Sequence, residues 1–232
     1  MSFHLRNLWT SGTSWNALDA QFRAGYIKNL DAFLGSQVVR GHGFYPNKEN
    51  IFNAFGATPL DNVNVVILGR DPYPHEGLAT GLAFAVPAGT PIKKRPKSLS
   101  AIFEEIEKDC GASPKANSDL MHWTGEQGVL LLNRVLTVRA GKAGTHHRDQ
   151  GWENFTQEVI KLVCKERSGL VFCLWGETAM RSAQHIDRRR HYVLPAAHPS
   201  VWAKARLPFS GCRHFSQVNA LLKAQRKRPI RW

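Results

Sequence analysis

Three polar side chains stand where core strands should end. The apolar run "VVILG" passes directly into Arg70, Asp71, Pro72, Tyr73 and Pro74, the run "GVLLLN" closes on Asn133, and "HYVLPAA" closes on His198, followed by Pro199 and Ser200. A carboxylate in such a position can stabilise a cation developing on a substrate and can orient or deprotonate an attacking water. A neutral imidazole can donate to an oxygen that gains charge as a bond breaks. An amide offers one donor and one acceptor to a planar polar edge. Pro72 pushes the backbone of Asp71 towards extended geometry and so helps aim the carboxylate. Singly, an Asp before Pro at a strand end is more often a turn former, and an Asn there is as often a plain strand terminator, so the elements that carry them decide the matter.

Apolar runs at 63–68, 81–86, 128–133, 169–175 and 191–197 are the strand candidates, and helical patterns lie between several of them. One helix is expected from Ser98 through "SLSAIFEEIEKD". A second, "GWENFTQEVIKLVCKE", puts Trp152, Phe155, Val159 and Leu162 on one face, and "CRHFSQVNALLKA" forms a third near the C-terminus. The first sixty residues read as helices and loops. There Trp15, Leu18, Phe22 and Tyr26 recur at helical spacing, and Gly35 is the expected stop. Near-continuous apolar strands separated by helices indicate a parallel sheet covered on both faces. The expectation is one α/β domain over residues 1–232, an α/β/α sandwich with a central, mostly parallel four-stranded sheet and a helical segment of about residues 1–60 packed on it. In such sheets ligands bind beyond the carboxyl ends of the strands, where Asp71, Asn133 and His198 converge.

The chain has 232 residues, 43% of them hydrophobic and 21% charged, an ordinary globular composition. Lys and Arg number 31 against 18 Asp and Glu, a net charge of +13 with a pI near 10.0, which favours a polyanionic partner and nucleic acid first. Cys110, Cys164, Cys173 and Cys212 form no C-x-x-C pair, so neither a zinc nor a redox motif is indicated. Cys164 and Cys173 read as buried small hydrophobes, and the usage fits a reducing compartment. No secretory signal and no membrane-crossing apolar run is evident.

The ordered motifs "GRDPYP", "GLAFAV", "GVLLLNRVLTVRAG", "GLVFCLWG" and "HPSVWAKARLPFSGCRHFS" resemble those of family 1 uracil-DNA glycosylase, from about Tyr45 to the last residue. The resemblance implies a monofunctional enzyme without metal or cofactor that flips uracil from single- or double-stranded DNA and hydrolyses its N-glycosidic bond. It implies that Asp71 activates water and stabilises the sugar cation, and that His198, neutral, stabilises the departing uracil anion at O2. Asn133 would read N3–H and O4 of uracil, Phe84 would stack on the base, and Tyr73 would fill the space a thymine methyl needs. Arg70 would meet the base chiefly through its backbone. Ser98, Ser200 and Arg206 would engage DNA, Ser98 doubling as a helix N-cap. Trp202 stands where the family inserts a leucine into the duplex, with Leu207 and Phe209 as substitutes. A monomer in the cytoplasm is expected for a bacterial source and a nuclear one for a eukaryotic source, and a small acidic inhibitor that mimics DNA joins the possible partners.

Several positions depart from the family. Arg70 replaces a common Gln, Pro74 a common His, and Glu177 a phosphate-binding Ser, while the "HPSVWAKARLPFSGC" loop is one residue longer. Two rivals therefore stay open: a glycosylase of the same fold with shifted base preference, against which Tyr73 and Asn133 argue, and a DNA-binding protein that has lost excision, against which Asp71 and His198 argue.

Overall fold

The computed structural model describes residues 3–9, 13–112, 118–141, 147–201 and 206–232. Its strands are β1 (Phe44–Tyr45), β2 (Val65–Gly69), β3 (Val129–Asn133), β4 (Val138–Arg139), β5 (Val171–Trp175) and β6 (Tyr192–Ala196). Its α-helices are α1 (Gly25–Val39), α2 (Asn53–Ala57), α3 (Lys97–Cys110), α4 (Trp152–Glu166), α5 (Glu177–Met180) and α6 (His214–Ala224). Strands β3-β2-β5-β6 form the central sheet and every pairing in it is parallel, so "mostly parallel" becomes wholly parallel; β1 and β4 make a separate antiparallel pair. Strands β2, β3 and β5 are buried at every residue, as strands covered on both faces must be.

The chain leaves β2 towards β3 on one side and β5 towards β6 on the other, which opens a crevice between the carboxyl ends of β2 and β5. Helix α4 sends Phe155 into an aromatic cluster with Trp9, Phe22, Phe52 and Phe55; Trp9 meets Phe52 edge-on at 5.1 Å. Helix α6 packs Phe215 against Trp175 of β5 at 6.0 Å. Buried Glu105 and neighbouring Asp109 of α3 accept hydrogen bonds from the backbone N–H groups of Gly211 (2.7 Å), Arg213 (2.9 Å) and Ser216 (2.8 Å). These bonds answer orphan donors around the start of α6 and tie the preceding loop to α3.

Four expectations change. The run 81–86 is no strand, because Gly81 (φ 83°) and Phe84 (φ 65°) turn it; it is a buried loop joined to β3 by the Ala83 N–H donating to Leu131 O at 3.1 Å. Gly35 does not stop a helix: the N-terminal pattern divides into a 3-10 helix, Asn16–Arg23, and α1, and Gly35 lies inside α1, where Phe3 packs over it. Ser98 is not an N-cap, since Pro96 holds that position. Cys164 is only partly buried, whereas Cys173 is fully so. Among the described residues no helix is long and apolar enough to cross a membrane.

Candidate active site

Register brings the first two polar groups together. Gly69 pairs with Asn133, and the pairing continues past the strand ends through Arg134 N–H to Gly69 O and Val135 N–H to Arg70 O, both 3.0 Å. Residue 69 has to be glycine, because a Cβ there would overlap Asn133 Oδ1 and press on Ala83 Cβ. Asn133 is 4% exposed, yet among the described residues its amide makes no hydrogen bond. A buried amide left open at the edge of a cavity is set to bind a ligand.

That cavity measures about 540 Å³ and is lined by Asp71, Tyr73, Phe84, Ser98, Asn133, His198 and Ser200, with Lys94, Arg95 and Lys97 on its rim. Phe84 sits in left-handed backbone, rare for an aromatic residue and often a sign of a functional constraint. Its ring lies 5.8 Å from that of His198 and 5.4 Å from that of Trp175. The Tyr73 hydroxyl donates to Phe84 O at 3.0 Å and pairs with Ser98 Oγ at 3.1 Å, so ring and strained loop fix each other. Burial pushes the Tyr73 phenol up, which keeps it neutral.

His198 follows β6 by two residues, with Gly176 beneath its Cβ. The Ser200 backbone N–H donates to His198 Nδ1 at 3.2 Å, and Ser200 Oγ lies 2.8 Å from the same nitrogen. An Nδ1 that accepts puts the proton of a neutral ring on Nε2. Burial, then the charge of Arg70, lowers the His198 pKa to about 4 against the pull of Asp71.

The Asp71 side chain is 5% exposed and bracketed by two cations. Its Oδ2 accepts from Arg70 Nε at 2.8 Å and from Arg148 Nη2 at 2.8 Å, while Oδ1 receives only a longer contact from Arg148 Nε at 3.4 Å. Sequence reasoning missed Arg148: it falls in a polar stretch without periodicity. What positions it is local. Trp152 Nε1 donates to Thr137 Oγ1 at 2.7 Å, Thr137 Oγ1 lies 2.8 Å from buried His147 Nδ1, and Arg148 follows. Arg70, expected to meet the base chiefly through its backbone, turns its guanidinium to Asp71.

The remaining sequence candidates separate. Ser98 is buried with its hydroxyl committed to Tyr73, which leaves its backbone N–H near the start of α3 as the group suited to a phosphate. Arg206 is exposed, and Glu177 opens α5 at the surface. Phe209 is 3% exposed and packs on Trp175 at 5.0 Å, which removes it as a duplex wedge, whereas Leu207 is 47% exposed. Trp202 lies outside the described residues. Among those described, no three His, Cys, Asp or Glu side chains group to hold a metal ion.

Fold and site together place a carboxylate, an open amide and an imidazole around one cavity at the carboxyl edge of a parallel sheet, an arrangement of the α/β hydrolytic class. The family model for the uracil DNA glycosylase superfamily matches residues 55–223. The uracil-DNA glycosylase of Rhizobium meliloti (strain 1021) is 45% identical over 220 residues, 94% of this chain and 89% of that protein. That of Acinetobacter baumannii (strain SDF) is 46% identical over 94% of this chain and 91% of its own length. The crystal structure of mimivirus uracil-DNA glycosylase superposes with a TM-score of 0.87 at 27% identity, covering 100% of this chain and 90% of that one. A mimivirus UNG variant in complex with UGI superposes at 0.88 with 28% identity, covering 100% and 91%. The chain belongs to the uracil-DNA glycosylase superfamily. Its reaction is excision of uracil from DNA by hydrolysis of the N-glycosidic bond, a step of base excision repair.

Because the lowered pKa leaves the imidazole neutral above about 4, His198 should show no protonation between pH 5 and pH 8 in a nitrogen-detected NMR titration. A midpoint near 6.5 would mean that the ring is solvated.

Proposed function

We propose that the cavity between β2, β3 and β6 receives the flipped uracil and that Asp71, His198, Asn133, Phe84 and Tyr73 carry its excision. The observation that bears most weight is the meeting of an ionisable carboxylate, an open amide and an Nε2-protonated imidazole around one cavity. Uracil stacks on Phe84 with its N3–H and O4 on the Asn133 amide, and Tyr73 excludes a C5-methyl. As the glycosidic bond lengthens, charge grows on O2 and the His198 Nε2–H donor strengthens its bond, favouring the transition state over the ground state. Asp71 offsets the positive sugar and directs water to C1′.

Arg70 and Arg148 decide which Asp71 oxygen does this. Two guanidinium bonds occupy Oδ2, so Oδ1 is the atom left for water, and Arg148 is a positioning residue for the general base. Lys94, Arg95, Lys97 and Arg206, with the Ser98 backbone and Ser200, supply the contacts that hold DNA phosphates on either side of the flipped nucleotide. Both single- and double-stranded DNA serve as substrate. In duplexes the vacated gap is filled by Trp202 or by exposed Leu207. The same face would take the inhibitor protein of the UGI complex, given the chain's likeness to the mimivirus enzyme.

Replacing Asp71 by Asn should lower single-turnover excision from a uracil oligonucleotide by at least about a hundredfold while affinity for the oligonucleotide holds; wild-type turnover would remove Asp71 from the mechanism. Arg148→Gln should reduce kcat by about tenfold to a hundredfold with KM unchanged, the signature of a misdirected base. A rise in KM alone would make Arg148 a DNA contact. Asn133→Asp puts a carboxylate where an amide stood and can accept from the cytosine amino group, so the variant should release measurable cytosine from DNA. A folded variant that releases none would take Asn133 out of base selection.

A further inference from the structure

The net charge of +13 is not spent only on the face that meets the substrate. At the opposite, amino ends of the strands, three segments come together. The loop into β5 carries Arg167, the turn into β6 carries Arg188, Arg189 and Arg190, and the segment after α6 carries Arg226 and Lys227. Hydrogen bonds lock them side by side: Gly169 N–H donates to Arg190 O at 2.9 Å, Arg190 Nη2 to Arg167 O at 3.3 Å, and Lys227 Nζ to Ser168 O at 3.4 Å. Among the described residues Asp187 pairs with Arg189 at 3.3 Å and Glu166 with Lys165 at 3.5 Å. The cations outnumber these two carboxylates, and their mutual repulsion is felt: burial and then the charge of Arg167 lower the pKa of Lys227.

We propose that this edge is a second DNA-binding surface, which holds the phosphodiester backbone of a DNA segment other than the one being repaired. Strand β5 separates the two ends, with Val171 beside the patch and Trp175 leading to the active site, about 15 Å of extended chain. A duplex lying across the site rim cannot also touch the far edge, so a second segment is required. The partner's chemistry follows from the donors. Arg190 and Lys227 each have one donor fixed on a backbone carbonyl, Arg190 exposed and Lys227 half-buried, and Arg188 and Arg226 are exposed. Guanidinium forks suit phosphate oxygens bidentately, and a repeating anion satisfies a row of them without sequence preference. Anions bound here would also relieve the repulsion among Arg167, Arg190 and Lys227. This second surface does not depend on the residue roles proposed for the active site.

The test uses full-length protein bound to a short hairpin that carries a non-hydrolysable uracil analogue, with a labelled undamaged duplex as second ligand. The wild type should form a ternary complex at low salt. Two separate variants, Arg188→Gln with Arg189→Gln and Arg190→Gln, and Arg226→Gln with Lys227→Gln, should each weaken second-duplex binding at least about tenfold. Both should leave excision from a short uracil single strand unchanged, which checks that they fold. The log–log salt dependence of second-duplex binding should become shallower by about 0.9 for each phosphate that a variant no longer neutralises. Binding of the second duplex only by displacing the hairpin would overturn the proposal, as would undiminished ternary binding in both variants. Retention of poly-glutamate at this edge without any duplex would overturn it in favour of an acidic protein partner.

Discussion

A carboxylate with 5% of its side chain exposed needs cations and hydrogen bonds in place of its lost hydration, and the architecture around Asp71 follows from that constraint. Removing an ion from water costs several kcal/mol, of order, unless charge and hydrogen bonds replace the lost hydration. Here Arg70 comes from the adjacent residue and Arg148 from 77 positions away. The distant partner needs a rigid mount. The buried line from Trp152 through Thr137 to His147, at the start of α4, provides it. Positive charge beside the site also reaches His198, where it adds to burial in keeping the ring neutral, with its one proton on Nε2 because Nδ1 accepts from Ser200.

The sheet turns this local solution into a site. Parallel strands put all their carboxyl ends on one rim, so residues far apart in sequence share one crevice. The Gly69–Asn133 pairing then places amide and carboxylate on adjacent strand ends. The cost appears in the backbone. Phe84 is held at φ 65° by the Tyr73 hydroxyl on its carbonyl and by the bond from Ala83 to β3. A loop in that conformation cannot be a strand, which is why an apolar run reading as one became the wall of the cavity.

This explains what the sequence made legible. Strand runs, the α3, α4 and α6 patterns and the polar strand-end residues Asp71, Asn133 and His198 were readable because burial and strand polarity leave marks on neighbouring positions. Gly35 misled because a glycine inside a helix can exist for a neighbour's sake, in this case Phe3, and composition cannot distinguish that from a stop. Ser98 misled in the same way: its hydroxyl serves a tyrosine 25 residues away instead of its own helix. Arg148 left no mark because its meaning lies wholly in a tertiary contact. Phe209 and Leu207, two residues apart and both apolar, differ only in which way the loop faces them.

Charge was the least specific signal and the most divided in space. A net value of +13 says that polyanions are attracted, but nothing about where. The fold divides the cations between two ends of the same strands. On the carboxyl rim they surround a cavity with a buried carboxylate, which two of them, Arg70 and Arg148, answer directly. On the amino edge they crowd one another around Ser168 and Gly169. Crowding of like charges raises the free energy of the folded protein and is tolerated where the core is strong enough. Here the loops bearing those charges lead into β5, buried along its whole length, and β6, its hydrogen-bonded partner. The sheet that aims Asp71, Asn133 and His198 at one end thus also gives the cationic loops at the other a rigid base.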